Sequence, residues 1–387
     1  MRFAEFTDEW EKYELSHFVT RITRRNKNNE SSLPLTISAQ YGLVDQISFF
    51  NKTVASVDLS GYYLLYNGDF AYNKSYSNEY AWGAVKRLDK YEKGCLSSLY
   101  FVFRPNDNVD SDYLTHYFES SKWHKGISNI AGEGARNHGL LNMAVDDYFA
   151  TKHCLPSLPE QKKIARFFNA ITRRIEIQNK IISKYETLIK GIYHEFFSKP
   201  ADYAIKIKDL IIKGKSGGTP SSTVARYYNG DIPFLSISDM TKQGKYVSYT
   251  EKHISKSGIE NSSAWIVPSN SLIFSMYASV GLVCINTVPL ATSQAMFSMV
   301  LKDRRMIEYI YYYLNFFRET KIHRHIETGT QSNINAETVR NIDIPFQSNH
   351  LKLVETLNSI EKRLNNEKDM LSLLLDLKAY LLSKLFI

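Results

Sequence analysis

Two short glycine-led stretches hold the side chains best suited to pairing with the edges of nucleic-acid bases. Gly132 to His138 carries Arg136, Asn137 and His138, and Gly329 to Asn333 carries Thr330, Gln331 and Asn333. A guanidinium fits the paired acceptors of guanine, or a phosphate, and a carboxamide fits the donor and acceptor of adenine. Glycines let such a loop approach a groove closely. A second pair of stretches has similar character. Tyr72-Asn73-Lys74-Ser75-Tyr76 offers Tyr72, Asn73, Lys74 and Tyr76, and Met276-Tyr277-Ala278-Ser279 offers Tyr277. Lys215 and Arg226 are phosphate candidates. The plainer reading of all of these is solvated surface loop.

Catalytic constellations are lacking. Gly214-Lys215-Ser216 looks like the end of a P-loop, but Asp209 stands where its first glycine belongs, so the phosphate cradle is missing. Ala131-Gly132-Glu133-Gly134 is too short for a dinucleotide or S-adenosylmethionine loop. No Asn-Pro-Pro or Asp-Pro-Pro core of an amino-methyltransferase occurs, and the 10 His form no H-E-x-x-H. His323 and His325 lie among basic residues, which favours backbone contact or plain surface over metal. No cofactor or metal is expected on this chain.

The loops need elements to hold them, and the strongest pattern along the chain is a repeat. Pro156 to Phe197 moved forward by 189 residues falls on Pro345 to Phe386 without a gap. Pro156 meets Pro345, Asn169 meets Asn358, Arg174 meets Arg363 and Phe197 meets Phe386. Apolar residues at 164, 168, 171, 175, 182, 185, 189, 192 and 196, with polar Gln178 between, step by four and three. That is the seam of a coiled coil, and a polar seam residue fixes register. Such a helix is a rod of roughly 58 Å, and its repeat is the obvious partner for its apolar stripe. Chain order makes the two antiparallel. The first is basic, with Lys162, Lys163, Arg166, Arg173, Arg174, Lys180, Lys184, Lys190 and Lys199 against Glu160, Glu176, Glu186 and Glu195.

Residues before and between the helices read as mixed domains with strands predominant. Tyr62 to Tyr66 and Leu99 to Phe103 alternate as strands, and a helix is expected over Ser111 to Trp123. The second domain has the same order of events: Ile273-Phe274 corresponds to Asp69-Phe70, Phe297 to Val300 to Tyr100 to Phe103, and Ile307 to Phe317 to the earlier helix. The expected fold is therefore α+β: two mixed α/β domains, residues 1–154 and 200–344, separated by two long antiparallel coiled-coil helices, residues 155–199 and 345–387, about an approximate two-fold axis. At 387 residues the chain is too long for one core. A net charge of +8 and a pI near 9.0 favour a polyanionic partner. Cys95, Cys154 and Cys284 are scattered, so a reducing cytoplasm fits and neither a disulfide framework nor a zinc site is indicated. The N-terminus lacks the apolar core of a signal peptide. The run Leu272 to Ile285 is too short to span a membrane.

This layout resembles the specificity subunits of type I restriction-modification systems over nearly the whole chain. Leu155-Pro156-Ser157-Leu158-Pro159-Glu160-Gln161-Lys162-Lys163-Ile164-Ala165 is similar to the family's opening of its first helix. Gly217-Gly218-Thr219-Pro220-Ser221 and Tyr228 to Leu235 resemble the opening of its recognition domains, and Phe6 to Trp10 is also familiar there. The second helix departs, with Ser348-Asn349-His350 where the family has Glu-Gln. The resemblance implies a non-catalytic chain with two target-recognition domains on double-stranded DNA. It also implies two methyltransferase subunits on the helical rod and restriction subunits with motor and nuclease roles. S-adenosylmethionine, magnesium and ATP would then belong to those partners. Because the domains differ, the two half-sites should differ, with an uncontacted gap set by the rod. The competing readings are a self-contained DNA methyltransferase and a coiled-coil adaptor without sequence-specific DNA binding.

Overall fold

The computed structural model describes residues 2–77, 80–131, 139–325 and 333–387. The chain forms two compact units, Met1–Lys180 with Lys368–Ile387, and Ile181–Glu367. The division falls inside both repeated helices, so each unit owns a part of each.

The repeated stretches are helical, over Leu158–Phe197 and His350–Leu385. Every seam position is buried or half-buried in both, and Gln178 is fully buried. In the first unit Ile164, Ala165 and Phe168 share a core with Leu381, Leu385 and Phe386. Phe168 stacks on Phe386 with ring centroids 5.7 Å apart. The start of the first helix thus lies against the end of the second. In the second unit Gln347 Nε2 donates to Phe196 O at 2.9 Å, and Phe197 and Phe346 both pack on Tyr309. There the end of the first helix meets the start of the second.

The departure at the second helix start has a structural counterpart. Glu160 accepts both Arg2 Nε and Arg2 Nη2, at 2.8 and 2.7 Å, and Gln161 accepts Asp110 N at 2.8 Å while donating to Pro156 O. At the second start Asp202 accepts Ser348 N at 2.8 Å instead. In both cases a segment outside the helix ties down its start.

In each unit the mixed fold outside the long helices opens with the same three elements. In the first they are Glu11–Glu14, Leu15–Phe18 and Val19–Arg21; in the second, Tyr203–Lys206, Ile207–Leu210 and Ile211–Ser216. The opening strand pairs antiparallel with the strand that feeds the long helix, Lys152–Leu155 or Asp343–Phe346. The third element edges the main sheet. In the first unit its order is Val19–Arg21, Phe101–Pro105, Phe70–Asn73, Ala84–Arg87; in the second, Ile211–Ser216, Met296–Leu301, Ser271–Ser275, Val283–Asn286, with Tyr246–Val247 added. Phe70 pairs with Phe103 and Phe274 with Phe297, so the two strands correspond as expected but Phe297 matches Phe103 and not Tyr100. The helices Ser111–Glu119 and Ile307–Thr320 pack on these sheets.

Two expectations shift. The helix expected to reach Trp123 ends at Glu119, where Ser120 Oγ donates to Tyr117 O at 2.6 Å, and a separate helix follows at His124–Ile130. The strand expected from Leu99 begins at Phe101, and Leu99 is an exposed turn residue. Among the described residues no helix is long and apolar enough to cross a membrane.

Candidate nucleic-acid interface

In the first unit the hairpin Phe70–Asn73 to Ala84–Arg87 carries the stretch 74–76. Asn73 Oδ1 accepts Ser75 N at 2.9 Å, which turns the chain out of the strand. Tyr76 N then donates to Gly139 O at 3.0 Å, Leu141 N donates to Lys74 O at 3.0 Å, and Ser75 bridges Leu140. Residues 139–141 are where the chain returns from the stretch 132–138. The two stretches picked out separately in the sequence are therefore joined at their bases.

The second unit repeats the joint. Ser275 ends its strand, and its hydroxyl donates to Tyr277 O at 2.5 Å and Ala278 O at 3.0 Å. Ala278 and Ser279 adopt positive φ of 30° and 56°, a conformation costly for side chains and found where the surroundings fix it. Ile334 N donates to Met276 O at 3.0 Å, at the return from the stretch 326–332. Tyr277 is 40% exposed at the tip.

The candidates are not equally placed. Asn73, Lys74 and Tyr76 are half-buried at the base of the joint, and the Lys74 ammonium lies 4.6 Å from the centre of the Phe101 ring. Burial lowers the Lys74 pKa. Asn333 is half-buried where the second unit's loop returns, and Lys215 is exposed on the edge strand, opposite Ser298. Arg136, Asn137, His138, Thr330 and Gln331 lie outside the described residues. Tyr72 is a correction. It is fully buried, stacks on Tyr148 at 4.8 Å, and its hydroxyl donates to Trp82 O at 2.8 Å. It supports the loop from beneath and presents no atom to a groove. Among the described residues no cluster of ligating side chains could hold a metal ion.

The family model of the type I restriction modification DNA specificity domain matches residues 201–370. The match covers the second unit's head and the first part of the second helix, and includes the Gly217 to Ser221 opening; the Leu155 to Ala165 motif lies outside it. The chain is 28% identical over 174 residues to the MjaIX specificity subunit of Methanocaldococcus jannaschii, covering 44% of this chain and 40% of that one. It is 32% identical over 200 residues to the HindI specificity subunit of Haemophilus influenzae, covering 47% and 43%. The chain thus spans less than half the length of these curated relatives. The specificity-subunit fold itself extends over the whole chain. A type I restriction-modification S subunit from M. genitalium superposes with a TM-score of 0.55 at 14% identity, over 100% of this chain and 97% of that one. A chain from a study of type I R-M complex assembly and conformational transition gives 0.57 at 16%, over 98% of both.

Proposed function

We propose that this chain is the non-catalytic, DNA-reading subunit of a type I restriction-modification complex. The observation that carries the reading is the repeated joint. Two units share one sheet order, and each brings two loops of base-pairing composition together beside a copy of the same helix. Differing loop residues, Arg136 and Asn137 against Thr330 and Gln331, then read two different half-sites of double-stranded DNA.

The domain limits we propose are residues 1–154 and 200–344 for recognition and 155–199 and 345–387 for the spacer. The paired helices set the gap between half-sites on the scale of one turn of B-DNA, about 34 Å. They also seat the methyltransferase subunits, two in number, with restriction subunits joining the assembly. Met370, Leu373, Leu377 and Tyr380, spaced by three and four and exposed on the second helix, are the apolar face we assign to that docking. S-adenosylmethionine, magnesium and ATP belong to the partner subunits, in the cytoplasm.

Methylome sequencing of a strain with and without the gene tests the reading. The expected result is one bipartite methylated motif that disappears with the gene. A motif that persists, or one without a gap, sinks it.

A further inference from the structure

We propose that each unit grips the DNA backbone with a pair of cations on the segment that leads to its reading loop, Lys122 and Lys125 at the turn into the helix His124–Ile130 in the first unit, Lys321 and Arg324 in the second. The proposal rests on the DNA-reading function above and adds the residues that hold phosphate.

Lys122-Trp123-His124-Lys125 and Lys321-Ile322-His323-Arg324 follow one pattern: cation, apolar residue, His, cation. Both come after the helix that covers the sheet, and both lead into a candidate loop. The apolar member is the anchor. Trp123 is buried, its Nε1 donates to Phe118 O at 3.1 Å, and its ring meets Tyr72 edge-on at 5.9 Å. Ile322 is buried against Gly281, where an added Cβ would stand 2.5 Å from Ile322 Cδ1. Tyr72 and Gly281 belong to the base of the other candidate loop in their units. A buried side chain therefore pins each turn to one loop while the chain runs on into the second.

The cations stay outside. Lys122, Lys125 and Arg324 are exposed, and Lys321 is half-buried, its ammonium 5.6 and 5.5 Å from the Tyr313 and Phe316 ring centres. Among the described residues none of the four forms an ion pair. In the first unit Lys122 and Lys125 also line a concavity of about 480 Å³ with Lys12 and Lys152, beside Asp147 and Ile387. Glu14 lies opposite Lys152 in the strand pair. Its floor is already satisfied, since Tyr117 OH bonds His153 Nδ1 and Thr151 Oγ1 bonds His153 Nε2, both at 2.8 Å. Four ammonium groups around one concavity suit phosphate, and ammonium contacts to phosphate carry no base preference.

The test uses the full chain co-expressed with its partner subunits. Lys122→Gln/Lys125→Gln and Lys321→Gln/Arg324→Gln are titrated against a duplex bearing the methylated motif and a scrambled duplex, over a range of salt. Each double variant should lose affinity by the same factor on both duplexes. The slope of log K against log salt should fall by about 0.9 per phosphate contact, so by about 2 per pair. Lys122→Arg/Lys125→Arg should restore the wild-type slope, which a folding defect would not allow. An unchanged slope in either double variant overturns the proposal, as does a loss confined to the motif duplex. Failure of the wild-type chain to bind duplex at all would instead overturn the DNA-reading function.

Discussion

Asn169 and Asn358, which the repeat superposes, each bind a carboxylate and accept a proton donor at once. Asn169 Nδ2 donates to Asp112 Oδ2 at 2.9 Å, and its Oδ1 bonds His116 Nε2 at 2.7 Å. Asn358 Nδ2 donates to Glu308, and its Oδ1 accepts the Lys245 ammonium at 3.3 Å. Asp112 and Glu308 both stand in the first turn of the helix that covers the sheet. A carboxamide is the short side chain that can serve an acid and a donor together. The repeated residue fastens each long helix to its own recognition fold.

Replacing either Asn by Ala should therefore loosen one unit. The expected loss is about 1 kcal/mol at Asn169, where the side chain is exposed, and about 2 kcal/mol at Asn358, which leaves the mostly buried Lys245 short of a partner. Chemical denaturation of the two single variants measures this. Equal midpoints for both variants and the wild type would remove the fastening role.

The first unit should be acid-sensitive in two windows. Burial would raise the Glu119 carboxyl, but His116 at 3.6 Å, Lys378 at 2.9 Å and the nearby Lys86 outweigh it and bring it down from 4.5 to about 2. Its stabilisation is complete above the unfolded value and fades as pH falls from about 4.5 towards 2, by about 3 kcal/mol in all. His153, buried and pushed down by desolvation from 6.5 to about 4, must be neutral in the fold. Its contribution fades as pH falls from 6.5 towards 4. Thermal melts across these ranges should show both steps, and Glu119→Gln should flatten the lower one. A Glu119→Gln profile identical to wild type would contradict the assignment.

Phe168 and Phe386, both buried and stacked, tie the start of one long helix to the end of the other in the first unit. Truncating either to Ala should cost about 3–5 kcal/mol. The double variant should cost less than the sum, because the rings contact each other. Strict additivity in denaturation would mean that the stack contributes nothing beyond each ring's own burial.

Much of this was legible because periodicity survives packing. The three-and-four spacing marked the seam at every position, and the 189-residue offset paired Asn169 with Asn358 before their partners were known. The loops were legible as glycine-led breaks between strands. Tyr72 was not. Its strand is covered on both faces, with Phe70 and Tyr72 in one core and Ala71 in another, so the run shows no alternation to mark where strand gives way to loop. The end of the helix at Glu119 was hidden for a related reason: Trp123 is apolar because it anchors the next turn. The basic turns were missed since a cation, a hydrophobe, a His and a cation signify little until Trp123 and Ile322 are seen holding the loop bases.

Gly83 and Gly281 close the two loop bases, and each has a positive φ, 78° and 84°. A Cβ on Gly83 would stand 2.1 Å from Asn73 O, and one on Gly281 2.5 Å from Ile322 Cδ1. The first obstacle is backbone and cannot yield, whereas the second is the end of a side chain with Arg318 behind it. Gly83→Ala should therefore move the 74–76 stretch off its bonds to residues 139–141 and abolish reading of one half-site. Gly281→Ala should weaken the other by about tenfold, equivalent to about 1.4 kcal/mol. Duplexes altered in one half-site at a time separate the two effects. For Gly83→Ala, discrimination at the first unit's half-site should vanish while the other half-site is still read. Retained discrimination at both half-sites would show that the loop bases do not govern reading.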